Sequence, residues 1–254
     1  MIVLLHDYTK IIAVKNIKDS GKYIGLEVVK GVFLLAKNNP QVFLAWCAEE
    51  LEPFLNFEEF NNIFHHKRLM VSYSVSKNHF LLDDIGYVED SPFIKIKYTV
   101  TYPTWLMSAE VGGIYAETLL QFKDLSYFED FEYFLTSLAK NGQSKGLLCY
   151  SEPKLLIQQP ELLLQQKGSK YSTNKLFRFV KQHYRTRWVF LLFLDLYLFE
   201  SRFPFGALIK SLFYRNFSNK NLINEIALQS LRSITIETKM DVIIPTIGRK
   251  TYLY

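Results

Sequence analysis

Over its first 160 residues the chain alternates two apolar patterns with little between them: short runs rich in β-branched residues, and longer stretches with a period near 3.6. That alternation restricts the region to an α/β fold, because strands and helices following one another so closely must cover each other's apolar faces. MIVLLH (1–6) and KIIAVKN (10–16) read as strands. GLEVVKGVFLLAKNNP (25–40) reads as a helix with the stripe Val28, Val29, Val32, Phe33 and Leu35, stopped by Asn38-Asn39-Pro40. QVFLAW (41–46) follows as a buried strand, FEEFNNIFHH (57–66) as a short helix and KRLMVSYSV (67–75) as a strand. FIKIKYTVTY (93–102) alternates apolar and polar residues, as a half-exposed strand does. DFEYFLTSLAKNG (130–142) has helical spacing and is expected to stop at Gly142, with GLLCY (146–150) as the next strand.

The 254 residues are 49% hydrophobic and 22% charged, which provides for a substantial core. Cys47 and Cys149 stand far apart without a CxxC or Cys/His spacing, so neither a disulfide framework nor a zinc site is indicated. A reducing, cytoplasmic setting is the expectation. The opening apolar run meets His6 and Asp7 at once and has no basic residue before it, unlike a signal peptide.

Charge is divided along the chain. Residues 1–161 hold 15 Lys+Arg and 20 Asp+Glu, a balance of −5, whereas 162–254 hold 15 and 5, a balance of +10. Two regions with different partners are implied. From about Gln158 the sequence turns helical, basic and aromatic. WVFLLFLDLYLFE (188–200) is too short, and interrupted by Asp195, to be a membrane span, so a buried helix is expected. Pro204 and Gly206 break it before ALIKSLFYRNF (207–217), and NLINEIALQSLRSITIETK (221–239) reads as a last helix and polar joint.

Residues 162–224 carry eleven Lys+Arg against Asp195 and Glu200, interleaved with Phe, Tyr and Leu. Such a face suits an anionic membrane surface, cations meeting lipid heads while apolar side chains enter the headgroup boundary. The competing expectation is packing against the acidic first region or a partner. No nucleic-acid-binding motif accompanies these cations, so nucleic acid is not an expected partner.

The closing segment DVIIPTIGRKTYLY (241–254) is an apolar β-branched run, a Pro-Thr and a Gly-Arg turn. It resembles the first strand of the nucleotide-sugar-binding core of bacterial family 2 glycosyltransferases, the GT-A fold. The matching positions are Val242 to Ile244, Pro245, Thr246 and Arg249. The resemblance implies that Pro245, Thr246 and Arg249 border the nucleotide of the donor, with the rest of a catalytic domain beyond.

A second likeness lies upstream. YPTWLMSAEVGGIYAETLLQF, FEDFEYFLTSLAKNG and GLLCYSEPKL resemble the acceptor-side half of the same fold, with Gly112, Gly113, Glu129 and Asp130 at the matching positions. By that resemblance Asp130, beside Glu129, takes the place of the base that deprotonates the acceptor hydroxyl. Where the family has an Asp-x-Asp for a divalent metal, QVFLAW runs into Cys47-Ala48-Glu49-Glu50, so the donor half reads as degenerate. Asp83, Asp84, Glu89 and Asp90 form another carboxylate group, read as a solvated turn, and the adjacent His65 and His66 are read as surface or capping residues.

The expectation is therefore a degenerate GT-A-like α/β domain (1–160), a basic helical region (161–239) and the truncated start of a second, catalytic GT-A domain (240–254). The full-length protein would transfer a sugar from a nucleotide-sugar donor to a glycan or lipid-linked hydroxyl acceptor, inverting configuration. It would use Mg or Mn and work in the cytoplasm or peripherally on the inner membrane. The portion in hand is expected to lack a complete active site and any assured metal. The alternative is a non-catalytic interaction or membrane-docking module.

Overall fold

In the computed structural model, residues 1–76, 99–125, 127–158 and 172–217 are described. Asp83, Asp84, Glu89, Asp90, residues 93–98, the predicted last helix, and the closing segment with Pro245, Thr246 and Arg249 lie outside them.

Seven strands form one mixed sheet: β1 (Ile2–His6), β2 (Ile11–Lys15), β3 (Phe43–Ala48), β4 (Leu69–Tyr73), β5 (Tyr102–Pro103), β6 (Val111–Tyr115) and β7 (Leu148–Ser151), in the order β2-β1-β3-β6-β4-β7-β5. β1 and β3 are parallel, as are β4 and β7; β6 runs antiparallel between the two pairs. The β1–β2 turn is closed by Asp7, whose Oδ1 accepts from Thr9 N, Thr9 Oγ1 and Lys10 N at 2.7–2.9 Å. Those bonds stabilise the carboxylate and hold its pKa down, at about 2.

The apolar runs of β1 and β3 arise because both faces of the sheet are covered. Ile2, Leu4, Leu44 and Trp46 point into one core; Val3, Leu5, Phe43, Ala45 and Cys47 point into the other. The first core is closed by α1 (Val28–Asn38), α3 (Ala116–Leu120) and α4 (Phe131–Gln143), the second by Leu51, Leu55 and the short α2 (Phe60–Ile63). Gly112 and Gly113 sit in mid-sheet on β6. A Cβ on Gly112 would lie 2.4 Å from the Trp46 ring, and one on Gly113 2.2 Å from the Phe43 ring. Only glycine lets β3 seat those aromatic rings against β6.

The sequence expectation for the end of α4 needs correction. Gly142 lies inside the helix, which ends at Gln143 with Ser144 as the C-cap, and Leu147 packs on its bare Cα. The glycine in the left-handed region is Gly146, at φ 96°.

Three further helices, α5 (Thr173–His183), α6 (Thr186–Leu198) and α7 (Phe205–Leu212), stack onto the first core through Leu176, Phe177, Phe179, Val180, Val189, Leu192 and Leu208. Trp105 stacks on Phe179 at 5.5 Å between ring centres. The buried-helix expectation for residues 188–200 holds for one stripe only. α6 buries Val189, Leu192 and Leu196, while Phe190, Leu191, Leu194, Tyr197 and Leu198 face outward. None of the described helices is long and apolar enough to cross a membrane.

Candidate functional site

In open α/β sheets ligands gather where parallel strands end. Here β1 and β3 come together under the head of α4. His6, the last residue of β1, is fully buried and meets Phe131 edge-on at 5.2 Å; Trp46 of β3 meets the same ring at 5.9 Å. The Asp130 carboxylate accepts from Tyr133 N at 2.9 Å as the N-cap of α4 and pairs with Lys175 of α5. Glu129, one residue earlier, is exposed. The structure thus brings the predicted acidic pair to the same rim as the ends of β1 and β3. In this conformation it employs Asp130 as a helix cap and ion-pair partner.

Tyr8 was not singled out by sequence, and it is the most distinctive group on this rim. It holds φ at 74°, a conformation that a side chain with a Cβ adopts at a cost of roughly 1–2 kcal/mol. His6 Nδ1 accepts from its N–H at 3.0 Å, and its hydroxyl donates to Glu50 Oε1 at 2.9 Å. Burial, then the charges of Glu110 and Glu50, push the phenol above its ordinary pKa, so at neutral pH it is a proton-bearing donor. The nearby Cys47 thiol is pushed up to about 12 by burial and by Glu52 and Glu50, and so is no nucleophile at neutral pH.

Glu110 is the other residue that sequence reading passed over. It is 8% exposed and accepts from Val75 N, Ser76 N and Ser76 Oγ, fastening the chain just after β4. A lone acid immediately before a buried Gly-Gly strand was the available signal.

The carboxylates of the rim are committed to different partners: Glu50 to Tyr8, Glu52 to Lys15, Glu110 to the loop after β4. Glu49 and Glu50 are both exposed. Among the described residues no three His, Cys, Asp or Glu side chains converge as a divalent ion requires. His65 and His66 are also separated: His65 lines a cleft of about 300 Å³ beside β4 and β7, while His66 is buried and its Nδ1 accepts from Arg68 N at 3.0 Å.

The second candidate surface is on α6 and α7. Phe190, Leu191, Leu194, Tyr197 and Leu198 form an outward stripe at helical spacing, so α6 is apolar nearly all round yet covered on one side. Phe199 (81% exposed), Phe213 (82% exposed), Phe203, Phe205, Ile209 and Leu212 are exposed on α7 and the flanks of the two helices, and Tyr197 of the stripe meets Phe203, which stacks on Phe205. Exposed Arg185, Arg187, Arg202, Lys210 and Arg215 belong to the same helices and their flanks. Other cations of this region pack inward. Arg178 lies over the rings of Phe128, Tyr133 and Tyr214 at 4.9–5.1 Å, and Lys140 of α4 over Trp105 and Tyr184.

No protein-family model, curated protein or solved structure matches this chain.

Proposed function

We propose that the chain is the N-terminal part of a nucleotide-sugar-dependent glycosyltransferase, a degenerate GT-A-like domain that seats the enzyme on an anionic membrane surface and helps to handle its acceptor. The observation that carries this reading is the apolar face of α6 and α7 exposed among the described residues, with its exposed cations. Exposed apolar patches of this extent mark interaction surfaces. A fringe of Arg and Lys selects the negatively charged lipid surface among possible partners, because each cation near it contributes about 1 kcal/mol.

The transferase half of the proposal is supported by the likeness of the closing segment to a donor-binding strand and by the placement of Glu129 and Asp130 at the rim where β1 and β3 end. Catalysis and the divalent metal belong, on this reading, to the longer enzyme, because the rim of this domain spreads its carboxylates over separate partners. The substrate side would be a glycan or lipid-linked acceptor presented at the membrane.

Flotation of the chain with vesicles tests the docking role. Binding to vesicles containing phosphatidylglycerol, weakened at high salt and absent from neutral vesicles, is the expected result; no binding to anionic vesicles removes it. For the transferase role, a protein carrying this region together with an Asp-x-Asp-bearing continuation should transfer sugar from a nucleotide donor. Tight nucleotide-sugar binding by residues 1–160 alone would overturn the degenerate reading of the first domain. The tied-up carboxylates favour a second reading, a non-catalytic docking module, which predicts lipid binding without any transfer by the longer protein.

A further inference from the structure

α4 carries its acidic head at the strand-end rim, and its thirteen residues reach roughly 20 Å to the other edge of the sheet. There its last turn, the end of α5 and the start of α6 enclose a cleft of about 510 Å³. Lys140, Arg185 and Arg187 line the cleft, and among the described residues no carboxylate does.

Three features in and beside this cleft point to an anionic ligand that also carries a hydrogen-bond donor. Arg185 is the N-cap of α6 and Arg187 lies in its first turn, which has neither an acidic residue nor a capping side chain. A helix start is the positive end of its dipole, where cations are destabilising and anions stabilising. Beside it Lys181 is 9% exposed, and among the described residues its ammonium donates to neutral acceptors alone, Thr186 Oγ1 at 3.0 Å and Asn216 Oδ1 at 2.6 Å. A nearly buried cation without a counter-charge is costly. Finally, two polar atoms of residues lining the cleft, Asn141 Oδ1 and His183 Nε2, are buried without a hydrogen-bond partner among the described residues. Asn141 is itself only 8% exposed.

We infer that this cleft binds a phosphorylated polyol. The phosphate would sit at the first-turn N–H groups of α6 between the Arg185 and Arg187 guanidinium groups, close to Lys140. A hydroxyl of the same ligand would donate to Asn141 Oδ1, which a bare phosphate dianion cannot do. The chemistry is shared by the glycerol-phosphate head of an anionic lipid and by a soluble sugar or glycerol phosphate. The inference does not depend on membrane docking, since the soluble form alone would occupy the cleft.

The test uses the full chain and two probes: glycerol 3-phosphate in solution, followed by calorimetry, and vesicles with or without phosphatidylglycerol. The double variant Arg185→Gln/Arg187→Gln, whose side chains are exposed, should keep the wild-type urea midpoint and weaken glycerol 3-phosphate binding about tenfold or more. Arg185→Lys/Arg187→Lys should recover part of that loss, and inorganic phosphate should bind more weakly than glycerol 3-phosphate. A loss seen only with vesicles is what the docking surface alone predicts, because the same arginines belong to its cationic fringe. If glycerol 3-phosphate binding does not respond to the arginines, the inference is wrong. Phe199→Ser/Phe213→Ser separates this from docking, because it should reduce vesicle binding while leaving glycerol 3-phosphate binding unchanged.

Discussion

The strands of the sheet and the α6–α7 pair are similarly apolar in sequence and opposite in what they do with it. β1 and β3 bury every residue, alternating between two cores, whereas α6 buries one stripe of three side chains and leaves five large ones in solvent. The first arrangement supplies stability. The second supplies a surface, and the same kind of residue is therefore expected to respond differently to substitution in the two places.

The largest difference should appear between Gly112 and Phe199. Gly112→Val places a side chain within 2.4 Å of Trp46 and 2.6 Å of the Val71 carbonyl oxygen, the second of which belongs to rigid sheet backbone. Expected is a loss of at least about 3 kcal/mol, or failure to fold, in urea titration. Phe199→Ala removes a side chain 81% exposed and should stay within about 0.5 kcal/mol of wild type. Equal costs at both sites would break the comparison.

Within α6 itself, Leu192 and Leu194 repeat the contrast two residues apart. Leu192→Ala opens the core and should cost about 2–5 kcal/mol. Leu194→Ala should leave the urea midpoint nearly unchanged and instead weaken binding to anionic vesicles several-fold, in proportion to the apolar area withdrawn from the lipid. A Leu194 variant with full vesicle binding would show that this stripe is not what meets the membrane.

These contrasts also mark what the sequence could and could not disclose. Strand and helix types were legible in β1 to β4, α1 and α4 because each carries an uninterrupted period and a core-facing set of β-branched or aromatic residues. The outward half of α6 was not legible: WVFLLFLDLYLFE looks the same whether one face or both are covered, and only the count of neighbouring elements decides. Gly142 misled for a related reason, since a glycine near the end of a helical pattern signals either a cap or close packing. Of the rim, sequence pattern drew attention to Glu129, Asp130 and the Glu49-Glu50 pair. Tyr8 and Glu110 acquire their setting from pairings between residues 35 to 42 positions apart, and no local pattern records those.

Mild acid should separate the two regions. His183 packs between Phe179 and Phe217, and burial, with Lys140 nearby, lowers its pKa to about 3. Unfolding releases it to an ordinary value near 6.5, so below that pH the unfolded chain binds the extra proton. Stability from this group is complete above about 6.5 and is lost as pH falls toward 3. Asp7 acts lower: its depressed pKa, about 2, stabilises above the unfolded value near 3.9 and fails only as pH falls toward 2. Hydrogen exchange between pH 6.5 and 4 should therefore show α5 and α6 loosening before the β1–β2 turn, and His183→Phe should flatten that dependence. Simultaneous loosening of both would contradict the assignment.

The smallest expected effect falls where the two regions join, at Asp130. Its carboxylate caps α4 and pairs with Lys175, whose side chain is 42% exposed against 36% for Asp130. A partly exposed pair of this kind contributes between zero and about 1 kcal/mol. Asparagine caps a helix about as well as aspartate, so Asp130→Asn should cost only a few tenths of a kcal/mol up to about 1, and Asp130→Ala about 1 more for the lost cap. The two variants separate structure from chemistry. If the chain belongs to the proposed transferase, a purely structural Asp130 would make that enzyme's transfer follow the stability series, with Asn close to wild type and Ala below it. If Asp130 takes the acceptor's proton, the well-folded Asn variant should already lose about 10²–10⁴-fold in rate, because an amide retains the cap and cannot act as a base.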